Sequence, residues 1–244
     1  MLVFEDATVG YGRRAVLRGL SFTLEPGRIT AVLGPNGSGK STVLRCIEGQ
    51  SALLAGRMPV EKLSPRERAK RIALFSQRLP APDIPVEELV SYGRFPHCGG
   101  RLGGADRDAV ERAVAATGLE GLRQSSVRRL SGGERQRAFF AMLLAQDAPC
   151  VLLDEPGAFL DPAHHTALLE RLCALRAEGR AVGIVLHGVA DAFRIADLIL
   201  LVADGAQVFF GDTAECARGG YVERVFGVRR LDFTAQGKRY TVFE

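Results

Sequence analysis

No stretch of this sequence is apolar for long enough to cross a bilayer: the longest runs, Ala138 to Ala145 and Leu198 to Ala203, fall far below the roughly 20 residues a spanning helix needs. The chain is therefore not expected to cross a membrane by itself. Met1 to Asp6 has neither a basic start nor an apolar core of signal-peptide length, so a cytoplasmic location is expected. Cysteine is sparse. Cys46, Cys98, Cys150, Cys173 and Cys216 are odd in number, far apart and without a C-x-x-C pair, which argues against a disulfide framework and against a zinc site. Cys150, just ahead of an apolar run, reads as a core residue. Internal repeats, low-complexity segments and stretches dilute in apolar residues are missing too, so no tail or linker is expected. Clustered positive charge is also lacking. Despite a net charge of +4, Arg and Lys alternate with acids, as in Glu67, Arg68, Lys70 and Arg71, which is the pattern of a solvated surface and predicts no nucleic-acid partner.

What is present fits one large α/β body: 244 residues, 47% of them hydrophobic, can bury a substantial core. Runs of Val, Ile and Leu bounded by Gly, Pro or Asp recur at Ile29 to Leu33, Ile72 to Phe75, Val151 to Asp154, Ala181 to Leu186 and Leu198 to Ala203. Such runs suit buried parallel strands covered by helices. Leu2 to Val9 and Leu20 to Leu24, separated by the turn-rich Gly10 to Arg14, predict an antiparallel side sheet. Between about Pro82 and Gln146 the strand signal gives way to helical spacing, as in Val110, Ala113, Val114 and Thr117. Helix starts are marked by the capping box Ser64-Pro65-Arg66-Glu67 and by Asp161-Pro162.

Three segments carry chemistry. Gly34-Pro35-Asn36-Gly37-Ser38-Gly39-Lys40-Ser41-Thr42 contains G-x-x-x-x-G-K-[ST] between a predicted strand and a helix predicted over Thr42 to Glu48. Glycines let the backbone wrap phosphates, and the helix start directs N–H groups and dipole at their charge. Lys40 supplies a point charge for the outer phosphates, and Ser41 a hydroxyl for Mg²⁺. Val151-Leu152-Leu153-Asp154-Glu155-Pro156 ends a strand in two acids at the sheet edge where α/β folds bind ligands. Asp154 is expected to hold Mg²⁺ through its water shell, and Glu155 to orient and polarise an attacking water. Leu130-Ser131-Gly132-Gly133-Glu134-Arg135-Gln136-Arg137 reads either as a plain helix N-cap or as a second anion-binding helix start.

Together these segments resemble the ATP-binding cassette (ABC) ATPases, from Leu2 to about Gly211. The resemblance implies ATP and Mg²⁺ as ligands, and an α/β fold with a P-loop NTPase (RecA-like) core, an antiparallel β side sheet and an inserted α-helical subdomain. The core with its β subdomain is expected over residues 1–81 and 147–215, the helical subdomain over 82–146, and a C-terminal extension over 216–244. It further implies a homodimer in which Ser131, Gly132 and Gly133 of one copy close over the γ-phosphate held by the other. Tyr11 falls where an aromatic stacks on adenine. Gln77 matches the glutamine that senses Mg²⁺ and the attacking water, Asp161 the aspartate that communicates across the dimer, and His187 the histidine that contacts the γ-phosphate and supports Glu155. His164 and His165, adjacent on one helix, point to different faces and do not form a metal pair.

Leu63 to Gln77, and Tyr92-Gly93-Arg94-Phe95-Pro96-His97, are similar to the importer branch that serves iron-siderophores, haem and cobalamin. His97 then marks the branch from a surface turn. The resemblance implies two transmembrane permease subunits as partners, an external substrate-binding protein that feeds them, and a peripheral position on the cytoplasmic face of the membrane. A soluble iron-sulfur assembly ATPase and an exporter ATPase remain as alternatives. Three departures stand out: Gly56 to Pro65 is short, so the side sheet is expected to lack a hairpin; Gly157 and Ala158 replace a threonine-containing pair; and Gly188 replaces an aspartate.

Overall fold

Alternating apolar side chains on Leu2–Tyr11 (β1) and Arg14–Leu24 (β2) turn Phe4, Val9, Leu17, Leu20 and Phe22 into the interior. In this computed structural model, which describes residues 1–157, 161–235 and 238–244, β1 and β2 pair antiparallel. Phe4 lies opposite Phe22 with the rings stacked 4.4 Å apart. Ile29–Leu33 (β3) is buried at every position, as a strand covered on both faces must be. Lys40–Glu48 (α1) follows the loop, and Ala52–Arg57 (β4) returns to pair antiparallel with β1. These elements belong to a compact unit made of Met1–Lys62 and Arg171–Glu244.

The second compact unit is Leu63–Glu170. Pro65–Arg71 (α2) opens with Ser64 as N-cap: its hydroxyl accepts from the Glu67 N–H, and the Glu67 carboxylate accepts from the Ser64 N–H at 3.0 Å. The chain continues into Ile72–Phe75 (β5), then Val86–Tyr92 (α3), Phe95–Cys98 (α4), Gly104–Ala116 (α5) and Gly132–Gln146 (α6). Between Pro82 and Gln146 the described structure is helical, with 3-10 turns and one isolated bridge between Pro85 and Ser126. Cys150–Asp154 (β6) runs parallel to β5. α6 packs on β5, where Phe75 meets Phe140 edge-on at 6.3 Å.

Pro162–Ala177 (α7) contains the boundary, and the remaining chain completes the first unit. Ala181–Val185 (β7), Val189–Ile195 (α8), Leu198–Ala203 (β8) and Ala206–Asp212 (β9) give that unit the strand order β4-β1-β2-β9-β8-β3-β7. β3 lies parallel to both β7 and β8, while β8 and β9 form an antiparallel hairpin. Two short helices, Thr213–Arg218 (α9) and Tyr221–Phe226 (α10), lead to a separate hairpin of Arg230–Ala235 (β10) and Lys238–Phe243 (β11). Phe243 holds that hairpin on α8 through the Phe193 ring, 5.3 Å away.

Several expectations are corrected. The turn between β1 and β2 is Gly12-Arg13 alone, not Gly10 to Arg14, because Gly10 lets the strands approach until Tyr11 pairs with Arg14; a Cβ on Gly10 would sit 2.0 Å from the Arg14 carbonyl. The side sheet is continuous with the core strands through the parallel pair Arg18 and Ala206. After β4 the chain enters a 3-10 turn at Pro59–Lys62, so no returning hairpin strand follows it among the described residues, as the short spacing predicts. α1 starts at Lys40, two residues before the expected Thr42. His97 occupies a one-turn helix, half-buried, and not a free surface turn.

The fit of β4 onto β1 depends on Gly56, whose φ is +82° and where a Cβ would lie 2.3 Å from the Asp6 carbonyl. Gly56→Ala is expected to cost about 2 kcal/mol, more than Gly12→Ala, which has a positive φ but open space around it. Urea unfolding midpoints of the two variants check this, and equal losses would show that β4 is not seated on β1 in this way.

Candidate functional site

β3 delivers the chain to Gly34 at the carboxyl edge of its sheet. A Cβ at Gly34 would stand 2.1 Å from the Val202 carbonyl of β8 and 2.6 Å from the Ser38 hydroxyl, so only glycine fits there. The loop folds back over Lys40, which is 5% exposed and whose Nζ donates to the carbonyls of Gly34 at 2.8 Å and Pro35 at 3.0 Å. Gly39, with φ +98°, is the N-cap of α1 and offers no side chain to its N–H groups. No acid stands in the first turn of α1, so no side chain there offsets the positive end of its dipole. The Ser38 hydroxyl is buried without a hydrogen-bond partner among the described residues. A buried cation, an orphaned donor and an uncapped helix start fit a polyanion such as a triphosphate.

Tyr11 and His187 belong to the same unit. Tyr11, at the end of β1, is 44% exposed, and its hydroxyl accepts from Arg45 of α1 at 3.4 Å. Its ring is therefore available for stacking beside the helix that carries Lys40. β7 pairs Val185 with Val32 of β3, and that parallel register carried two residues onward sets His187 level with Gly34. His187 is exposed there. Gly188 caps α8, and a Cβ on it would meet the Asp191 carboxylate at 2.8 Å, so α8 already carries an acid where an aspartate at 188 would point.

In the second unit the same parallel geometry works on two other residues. β5 pairs Phe75 with Leu153, which puts Gln77 level with Glu155 just beyond the strands. The Gln77 amide donates to the Glu155 carboxylate at 2.5 Å. Asp154, the last residue of β6, is 3% exposed. Glu155 has φ +52°, a conformation that costs a non-glycine residue about 1–2 kcal/mol. The strain aims its side chain into a cavity of about 360 Å³ that Gln77, Glu155 and Gly132 line together. Arg78 and Arg135 line it as well, and they were not among the sequence candidates. Their signal was present, since Arg78 adjoins Gln77 and Arg135 lies within the Leu130 to Arg137 segment, but position in sequence alone does not tell which side chains face inward.

Ser131 caps α6 through a complete box with Glu134: its hydroxyl accepts from the Glu134 N–H, and the carboxylate takes the Ser131 N–H at 2.9 Å and hydroxyl at 2.7 Å. Those bonds hold the Glu134 carboxyl below its usual range. This helix start thus supplies its own anion, unlike that of α1. Gly132 and Gly133 have nothing within 4 Å of where a Cβ would be, so the end is open to approach. Asp161 caps α7, accepting from the His164 N–H at 2.9 Å and its Nδ1 at 2.7 Å, which lowers its carboxyl. Gly157 lies against His165, whose Nδ1 would be 2.8 Å from a Cβ at 157; Ala158 lies outside the described residues. Cys150 is confirmed as core, its thiol pushed up to about 12 by burial.

Comparison with known proteins bears on the family and the fold. A family model described as ABC transporter matches residues 17–158. Ferric enterobactin transport ATP-binding protein FepC of Escherichia coli is 39% identical, the match covering 92% of this chain and 86% of that protein. Hemin import ATP-binding protein HmuV of Pseudomonas aeruginosa is 36% identical, covering 95% and 94%. Among solved structures, a chain of a metal-chelate type ABC transporter in an inward-facing conformation superposes with a TM-score of 0.86 at 26% identity, covering 100% of this chain and 96% of that one. CbiO1 of Clostridium perfringens, part of the ABC transporter complex CbiONQ, gives 0.78 at 25% identity, covering 91% and 92%. With its phosphate loop, its strand-end carboxylates and a family match over more than half of its length, the chain belongs to the ABC transporter family and is an ATPase of that family.

Proposed function

We propose that the chain is the ATP-hydrolysing subunit of an importer for iron-siderophore, haem or cobalamin-type substrates, working as a homodimer on the cytoplasmic face of the membrane. The buried ammonium of Lys40 beside an uncapped helix start carries the nucleotide part of this reading. The transport part rests on relatives named for ferric enterobactin transport and for iron(3+)-hydroxamate and hemin import. No helix among the described residues is long and apolar enough to cross a membrane, which fits a chain that needs two permease subunits as partners and acts with a substrate-binding protein only through them.

In this reading the loop Gly34 to Thr42, through main-chain N–H groups, and the Lys40 ammonium bind the triphosphate, and Tyr11 stacks on adenine. Ser41, Gln77 and Asp154 would hold Mg²⁺, which when bound neutralises charge on the phosphate oxygens. Among the described residues no cluster of His, Cys, Asp or Glu could hold a metal alone, in keeping with an ion that shares its ligands with phosphate and water. Glu155 takes the proton of the attacking water, with Gln77 fixing the direction of its carboxylate. His187 hydrogen-bonds the γ-phosphate. Ser131, Gly132 and Gly133 of a second copy close the site, where an arriving phosphate competes with Glu134 for the Ser131 N–H. Asp161 links the two copies. Release of the dimer after hydrolysis reaches the permease through the segment from Gln77 to Pro85 and the helices after it.

Two substitutions separate binding from chemistry. Lys40→Ala removes a charge-assisted contact and is expected to weaken ATP binding by about tenfold to a hundredfold. Glu155→Gln leaves the cradle intact, so binding persists while turnover falls by at least about a hundredfold and a closed dimer accumulates with ATP. Isothermal titration and size-exclusion chromatography read both; unaltered affinity in the first or ordinary turnover in the second contradicts the assignment. A tagged chain expressed with its genomic neighbours is expected to bring down a polytopic permease from detergent extracts, and recovery of soluble partners alone would count against the importer reading.

A further inference from the structure

α6 is 15 residues long, so its ends stand about 22 Å apart. Ser131 is at the first end. At the other end the last carbonyls have no partner further along the helix, and Ala145 and Ala148 are buried, so donors must come from the protein. The Asp147 N–H serves the Leu144 carbonyl at 3.1 Å. The next two carbonyls are taken from far away in sequence: Arg94 Nη1 donates to Ala145 at 2.8 Å, and His97 Nε2 to Gln146 at 2.9 Å. A carbonyl can only accept, which assigns the His97 proton to Nε2. Arg94 is held in turn by Asp106 at 3.0 Å, and Gly93 lets α3 close on α6, where a Cβ would come within 2.3 Å of the Met142 carbonyl.

The contacts continue around a ring. Arg66 of α2 donates to the Pro96 carbonyl at 2.9 Å, and the Gln146 amide donates back to the carbonyls of Ala69 at 2.6 Å and Ile72 at 2.8 Å. Ile72 begins β5, and β5 leads to Gln77. One hydrogen-bonded ring therefore fixes the far ends of the two elements that present Ser131 and Gln77. A helix end needing only a cap can find it in the next residues of the chain. Donors reaching across some fifty residues instead lock separate elements into one register.

We infer that Arg94 and His97 are positioning residues for ATP hydrolysis: they anchor the C-terminal end of α6 and the start of β5, and so set where Ser131 and Gln77 stand without touching the nucleotide. This rests on the proposed roles of Ser131 and Gln77. In the full-length chain, His97→Met keeps bulk but loses the donor, whereas His97→Gln keeps an amide donor of similar reach. His97→Met is expected to lower kcat about tenfold, the scale of a misplaced group and not of a lost one, with KM for Mg-ATP and ATP affinity within about twofold of wild type. His97→Gln is expected to recover kcat to within about threefold, because its amide can renew the bond to the Gln146 carbonyl. Thermal melting confirms that both variants fold. Wild-type kcat in His97→Met, or equal impairment in His97→Gln, overturns the inference. A wild-type chain that binds no ATP refutes the parent reading instead.

Discussion

A positive charge held out of water governs the nucleotide end of this molecule. Lys40 is almost wholly buried, with the carbonyls of Gly34 and Pro35 as acceptors. Taking an ammonium out of water is costly, and these carbonyls are acceptors that the loop itself provides. The open start of α1 adds positive potential to the same place, and the Ser38 hydroxyl adds an unsatisfied donor. A polyanion can engage all three at once. The loop can hold this arrangement because β3 is pinned between β7 and β8, and because Gly34 accepts the close approach of the Val202 carbonyl.

The two helix starts that look alike in sequence are physically different. α1 begins on a glycine with no acid in its first turn, while α6 begins on Ser131 with the Glu134 carboxylate already occupying its N–H. The first is open to a ligand as it stands, and the second only to one that displaces an internal anion. That difference suits a proposed cycle in which the first site loads and the second closes and reopens. Glu155 stores strain of a similar purpose: its positive φ directs a carboxylate at Gln77 that a relaxed backbone would send elsewhere.

Much of this was legible in the sequence wherever a local signal sufficed. The five buried runs became β3, β5, β6, β7 and β8 because continuous Val, Ile and Leu leave a strand no polar face to turn outward. The box at Ser64 was readable because cap and partner lie three residues apart, and Ser131 was read as a helix start although its box with Glu134 was not. β9 went unread although Asp204-Gly205, both at positive φ, is a strong hairpin signal. β4 is short and has no buried residue, and its place is set by Gly56 against Asp6, a contact no local pattern reveals. The role of the Gly93 to His97 segment was hidden for the same reason. Its partners, Ala145 and Gln146, are remote in sequence, so its histidine looked like a surface marker.

Backbone amide exchange along the phosphate loop tests the central claim most directly. On addition of Mg-ATP, the amides of Gly37, Gly39, Lys40 and Ser41 are expected to slow by at least about tenfold, as groups newly bonded to phosphate oxygens do. Saturating Mg-ATP that leaves those amides exchanging at the unliganded rate, with protection confined to other segments, would contradict it.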